Sequence, residues 1–359
     1  MTAKALAARQ MGENLDGLMN LDPRGYGVCR ILYPACRGLA GGSPVLNGAE
    51  GLLGHLKEGG LCCIMTGFVL PPHGCPETDG AVSAVLLGRM LAGFFGVTPV
   101  LLGPEDCQEP VKAMAAAAGL HFYGEVKTAR QYPASMAFIA FPKERMAAEQ
   151  TALRLFNEIG RPDTAVAVEL PGANRIGIYH NAAGEDVTRL QAKTDLLFSR
   201  LSAEKVFTLA IGDLGNEAGL GKLYSHLQQF IPRAGRGECR CGCGYGLAAV
   251  SEADAVITAT ASDWGVCGLM AALGFLKGDM RWVPDGALYR RVLEAGCQAG
   301  LMDMGGWHIP AVDGFGLELL LPVIDLMRSS CESILGHLAS GDCGRWFDEV
   351  LGKGFFSNQ

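Results

Sequence analysis

Four short segments place carboxylates beside glycine at the ends of apolar runs. Glu77-Thr78-Asp79-Gly80 follows the run that closes with Met65-Thr66-Gly67-Phe68. Gly212-Asp213-Leu214-Gly215-Asn216-Glu217 follows Val206–Ile211 and leads to Gly219-Leu220-Gly221. Val168-Glu169-Leu170-Pro171-Gly172-Ala173-Asn174 is followed by Gly177-Ile178-Tyr179-His180. Ser262-Asp263-Trp264-Gly265 stands between an apolar run and an apolar helix. Carboxylates and an amide on flexible backbone suit a hard cation such as Mg²⁺ or Mn²⁺. Asp213, Asn216 and Glu217 have that character, against the plainer reading of a glycine-rich turn with solvated acids. Neither the G-x-x-x-x-G-K-[ST] phosphate loop nor G-x-G-x-x-G is met, since Gly221-Lys222 is followed by Leu223.

The other segments carry similar alternatives. Asp79 and Asp263 each precede an apolar helix, so each is a candidate ligand or simply an N-cap. Glu77, two residues before Asp79, is harder to explain by capping. A carboxylate at the end of a buried strand, as at Glu169, needs a partner or a metal. Asn174 and Tyr179 could bind a polar substrate, and Trp264 could wall a pocket or fill the core. His180 reads as a solvated loop histidine sooner than a base or ligand. Cys239-Arg-Cys-Gly-Cys243 lacks the C-x-x-C spacing of zinc knuckles and reads as a thiol-rich surface loop. There is no G-x-S-x-G, and His73 with Cys75 has no recognised nucleophile context.

The elements that must position these residues alternate. Strands are expected at Leu61–Thr66, Thr98–Leu102, Met136–Ala140, Ala165–Glu169, Val206–Ile211 and Ala255–Ala259. Helices are expected between them, at Gly80–Phe95, Val111–Ala118, Lys143–Glu158, Asp186–Leu201, Lys222–Phe230 and Gly265–Phe275. This alternation predicts an α/β layered fold, with a mostly parallel or mixed central sheet flanked by helices. One large domain over residues 1–341 is expected, with a subdivision near 130–165 and a peripheral tail over 342–359.

Composition excludes several classes. The 359 residues are 49% hydrophobic and 19% charged, which excludes disorder. Net charge is -7 with no basic stripe, which argues against nucleic acid. The apolar stretch 81–102 contains Arg89 and Pro99, so a buried helix followed by a strand is expected, not a membrane span. The thirteen cysteines lie largely in apolar runs, and the first residues show no apolar signal region. A reducing, cytoplasmic setting with free thiols is therefore expected.

The ordered set of motifs resembles the D-glutamate cyclase family, specifically its C-terminal domain, which in animals follows another domain in a mitochondrial protein. The resemblance runs over about residues 14–327. It is carried by Asp22-Pro-Arg-Gly25, Thr66-Gly67-Phe68, Glu77-Thr-Asp-Gly80, Glu169 with Pro171-Gly172, Gly177 and Tyr179, Asp195-Leu-Leu-Phe198, Gly212-Asp213 with Gly215-Asn216-Glu217, and Asp263-Trp264-Gly265. Four positions depart from the family pattern: Ala81 replaces proline, Leu170 arginine, Leu214 glycine and Asp263 asparagine.

The resemblance implies conversion of D-glutamate to 5-oxo-D-proline and water. Asp79, Asp213, Glu217 and Asp263 would bind Mn²⁺ or Mg²⁺, with Ca²⁺ also admissible, and two ions could be held. Glu77 or Glu169 would accept the ammonium proton. Thr66, Gly67, Asn174, Tyr179, Asn216 and Trp264 would contact substrate. The same carboxylates would serve a metal-dependent phosphatase or hydrolase, and a non-catalytic small-molecule module is a third reading. The expected partner is an amino acid or phosphorylated metabolite, without nucleic acid or membrane, and a homo-oligomer stays open.

Overall fold

A computed structural model describes residues 1–358. Its centre is a seven-stranded sheet: β1 (Leu61–Met65), β2 (Thr98–Gly103), β3 (His121–Tyr123), β4 (Ser135–Ala140), β5 (Thr164–Val168), β6 (Phe207–Gly212) and β7 (Ala255–Thr258). The spatial order is β3-β4-β2-β1-β5-β6-β7. Every neighbouring pair is parallel.

Both faces of the sheet are covered. Ile64, Leu101, Val166, Leu209 and Ile257 belong to one core, with residues of the helices Ala3–Met19, Pro44–His55, Ala81–Phe95 and Ser262–Lys277. Cys63, Val100, Ala165, Ala210 and Val256 belong to the other, under Val28–Ala40, Arg145–Ile159 and Thr194–Ala203. Two-sided burial explains why the strands read as unbroken apolar runs and not as alternating ones.

The expected α/β layering is thus present, and its sheet is parallel throughout. The 81–102 stretch divides into the helix Ala81–Phe95 and strand β2. Among the described residues, no helix is long and apolar enough to cross a membrane. The helix expected from Asp186 begins only at Thr194. The preceding loop is held open by buried Gln191, which bonds both the N–H (2.9 Å) and the C=O (2.8 Å) of Val69. The edge strand β3 was not expected; it is three residues long and partly exposed.

The chain starts in the middle of the sheet at β1, builds outward through β2 to the β3/β4 edge, then returns to β5 on the other side of β1. The order therefore reverses between β1 and β5. In open α/β sheets, ligands bind outside the carboxyl ends of the strands at such a reversal.

Candidate metal centre and substrate cavity

The loops at that reversal carry the acids. Glu169 directly follows β5, with φ of 44°. A non-glycine residue in left-handed backbone is uncommon, and such positions cluster at functional sites. Asp213 directly follows β6, and Asp79 ends the loop between β1 and the helix Ala81–Phe95. One carboxylate oxygen from each of Asp79, Glu169 and Asp213 lies within 4.8 Å of the others. Gly80, at φ +76°, allows this approach, because a Cβ there would stand 2.6 Å from Glu169 Cβ and 2.9 Å from the Val168 carbonyl.

Arg24 and a few hydrogen-bond donors only partly offset the repulsion among the three acids. Burial is the main cause that raises Asp79, Glu169 and Asp213 well above the usual carboxylate range, and neighbouring carboxylates add to it. Glu77 is buried and raised in the same way, first by desolvation and then by Asp79. A cation would relieve that repulsion, and an all-oxygen donor set suits a hard one.

Two further expected ligands are occupied by protein donors. Glu217 is fully buried and accepts the amides of Asp213 (2.6 Å), Leu214 (2.8 Å) and Gly215 (2.5 Å). It shapes the loop that presents Asp213. Asp263 accepts the Gly80 and Ser83 amides (2.8 and 3.2 Å), the Ser83 hydroxyl and the Tyr289 hydroxyl. Asp79 in turn accepts the amides of Ser262 (3.0 Å) and Asp263 (2.7 Å). Each aspartate thus caps the helix that the other precedes or begins. Neither Glu217 nor Asp263 belongs to the converging trio.

The trio opens into a cavity of about 310 Å³, lined also by Glu77, Asn216, Phe68, Leu70 and Asp313. An adjoining cavity of about 290 Å³ shares Asp213 and Asp313 and adds Arg24. Asn216 Nδ2 donates to the His180 carbonyl (2.9 Å), while its Oδ1 is buried without a hydrogen-bond partner. The other expected substrate contacts lie outside both cavities. Tyr179 donates to Asp195 (2.5 Å). Asn174 Oδ1 accepts the Ile176 and Ile178 amides (3.1 and 3.0 Å). Trp264 is fully buried and stacks on Phe315. Gly67 packs against Pro104 and Cys107, and Thr66 Oγ1 is buried without a partner.

Arg24 and Asp313 were not singled out from sequence. Asp22 accepts the Gly25 and Gly27 amides (2.9 and 2.7 Å), a turn that presents Arg24. The guanidinium pairs with Asp313, donates to the Thr260 carbonyl (3.2 Å) and lies over Phe315. Asp313 sits at φ 53° in the turn between Ala311–Val312 and Phe315–Gly316. The signals available were the Asp22-Pro-Arg-Gly25 turn and Asp313-Gly314, each short and far from the acids in sequence.

Comparison with known proteins decides the family. The sequence model described as D-glutamate cyclase-like, C-terminal, matches residues 15–328. The chain belongs to this family. Human mitochondrial D-glutamate cyclase is 27% identical over 282 residues, which is 76% of this chain and 40% of that protein. The chain therefore spans well under half the length of this relative.

Proposed function

We propose that the chain is an enzyme that closes D-glutamate, or a close analogue, to its five-membered lactam, with Mn²⁺ or Mg²⁺ as cofactor. The observation that carries this reading is the convergence of Asp79, Glu169 and Asp213 at the sheet's topological reversal, beside a cavity of small-molecule size. The human relative's name supplies the reaction. The three carboxylates would hold the cation, which when bound supplies Lewis-acid polarisation of a substrate carboxylate.

The reaction balances without a co-reactant. The substrate ammonium gives up two protons, its nitrogen bonds to the γ-carboxyl carbon, and one γ-oxygen leaves with both protons as water. Glu77 has no part in the trio and lines the same cavity, which makes it the candidate acceptor of the first proton. Burial and the neighbouring Asp79 raise its affinity for protons, which makes it a stronger base than an ordinary carboxylate. Arg24 is one of two arginines, with Arg233, that line the adjoining cavity, and it is the one paired with Asp313. It would pair with the substrate α-carboxylate, a duty that the arginine replaced by Leu170 cannot fill. Asn216 Oδ1 would accept from the substrate amine.

Incubation of purified protein with D-glutamate and Mn²⁺, followed by chiral mass-spectrometric detection of 5-oxoproline, tests this reading. Product should form, and chelator should abolish it. Absence of product in the presence of bound metal overturns it, and phosphate release from phosphorylated substrates would indicate a phosphatase.

A further inference from the structure

The thiol-rich loop has no part in the proposed lactam chemistry, yet it is the second place where metal-ligating atoms converge. Cys239, Cys241 and Cys243 meet His180, which comes from a segment about sixty residues earlier. Cys239 Sγ lies 3.3 Å from Cys243 Sγ and 3.6 Å from Cys241 Sγ. His180 Nε2 lies 3.1 Å from Cys241 Sγ and 3.6 Å from Cys243 Sγ. All four ligand atoms fall within 4.8 Å of one another.

We infer that His180, Cys239, Cys241 and Cys243 form a structural Zn²⁺ site. The inference is independent of the cyclase reading. Zinc takes thiolate at about 2.3 Å and imidazole at about 2.0–2.1 Å in a tetrahedron, whose edges are then roughly 3.5–3.8 Å. The observed separations of 3.1–3.6 Å are slightly inside those edges, as ligands converging on one centre should be. Three sulfurs and one imidazole nitrogen are a soft donor set that favours zinc over the hard ions suited to the carboxylates. Four protein ligands complete the shell and leave no open position, which marks a structural site and not a catalytic one. An iron–sulfur unit distributes its thiolates over different irons and needs wider spacing.

The surrounding backbone fits the role. Gly242, Gly244 and Gly246 have φ of 74°, 82° and 71°, which lets the chain wrap tightly around the three sulfurs. The Gly244 and Gly246 amides point at Cys239. Asn174 Nδ2 reaches Cys243 Sγ (3.4 Å) and the Gly246 carbonyl (2.9 Å). Binding would displace the thiol protons as zinc enters. It would also fix the turn that follows His180. Arg240 N donates to the Gly184 carbonyl (2.8 Å), and Asn181, Ala182 and Ala183 of that turn line the acidic cavity. The zinc would therefore brace one wall of the substrate cavity without touching the reaction.

Metal analysis of the full-length protein, purified without chelator and dialysed against dilute EDTA, tests the site. About one zinc per chain should remain. Asp213→Asn should retain it, and the double variant Cys239→Ser/Cys241→Ser should lose it. Because that variant could fail to fold, wild-type protein reconstituted with Co²⁺ gives a second readout. It should show thiolate-to-cobalt charge transfer and the strong visible bands of tetrahedral cobalt. Zinc below about a tenth of an equivalent with no such cobalt spectrum overturns the inference. So does iron in place of zinc, or zinc that follows Asp213 and not the cysteines.

Discussion

At the scale of single residues, Asp213 differs from Asp263 and Glu217 in what already occupies its oxygens, whereas Asp79 both belongs to the trio and accepts the amides of Gly80, Ser262 and Asp263. Asp213 has one carboxylate oxygen in the converging trio, whereas Asp263 and Glu217 are engaged by protein donors. Removal of outer-shell partners of a metal typically costs 10–100-fold in affinity or activity. Asp213→Asn should therefore weaken Mn²⁺ binding by about 100-fold or more. Asp263→Asn should behave differently, because an amide oxygen can still accept from the Gly80 and Ser83 amides. It should change Mn²⁺ affinity less than about threefold, within ordinary context dependence. Glu217→Gln should lower stability by about 1–3 kcal/mol, because one amide oxygen cannot satisfy three N–H groups that are buried or partly buried. Calorimetric Mn²⁺ titration alongside thermal melting separates the three. Equal losses of metal binding in Asp213→Asn and Asp263→Asn would refute this division.

At the scale of elements, most of the sheet was legible because burial on both faces forces continuous apolar runs. The strands around Ile64, Leu101, Val166, Leu209 and Ile257 could be read directly. The reciprocal capping of two helices by Asp79 and Asp263 could not. Each aspartate stands where its own helix needs a cap, and sequence gives no sign that it serves the other one. The convergence of His180 with Cys239–Cys243 was hidden for the same reason, since local spacing cannot report a ligand from a distant segment. The close approach of two elements at Gly80 gives a direct test. Gly80→Ala would force a side chain into left-handed backbone and against Glu169 Cβ and the Val168 carbonyl. Strained positions cost about 1–3 kcal/mol each, and the displacement of Glu169 adds loss of metal binding. Gly54→Ala, in open space near the end of the helix Pro44–His55, should leave both properties unchanged or raise stability by about 0.4–1 kcal/mol. Thermal melts of the two variants check the contrast. An intact Mn²⁺ affinity in Gly80→Ala would mean that the Gly80–Glu169 contact does not set the site.

At the scale of the whole molecule, the sheet reversal collects acids that the chain would otherwise keep apart, and that concentration has a thermodynamic signature. Glu77, Asp79, Glu169 and Asp213 all hold protons more tightly in the folded protein than ordinary carboxylates, chiefly through burial. Asp263 is raised to about 6, again chiefly through burial. In the unfolded chain these groups titrate near about 4. Between those limits the folded state binds more protons than the unfolded state, so stability falls as pH rises. The contribution is complete below the unfolded values and is lost as pH climbs through the folded ones. Asp279, held down to about 2 by Arg281, titrates below that window and does not mask it. A divalent ion bound to the ionised acids should oppose the loss. Chelated protein should therefore melt at a lower temperature at about pH 8 than at about pH 5.5, and the Mn²⁺-induced rise in Tm should grow over the same interval. Asp213→Asn, which removes one of the mutually repelling charges, should flatten the chelated profile. A chelated profile that is level or rises with pH, with a Mn²⁺ shift independent of pH, would show that these acids do not share one buried field.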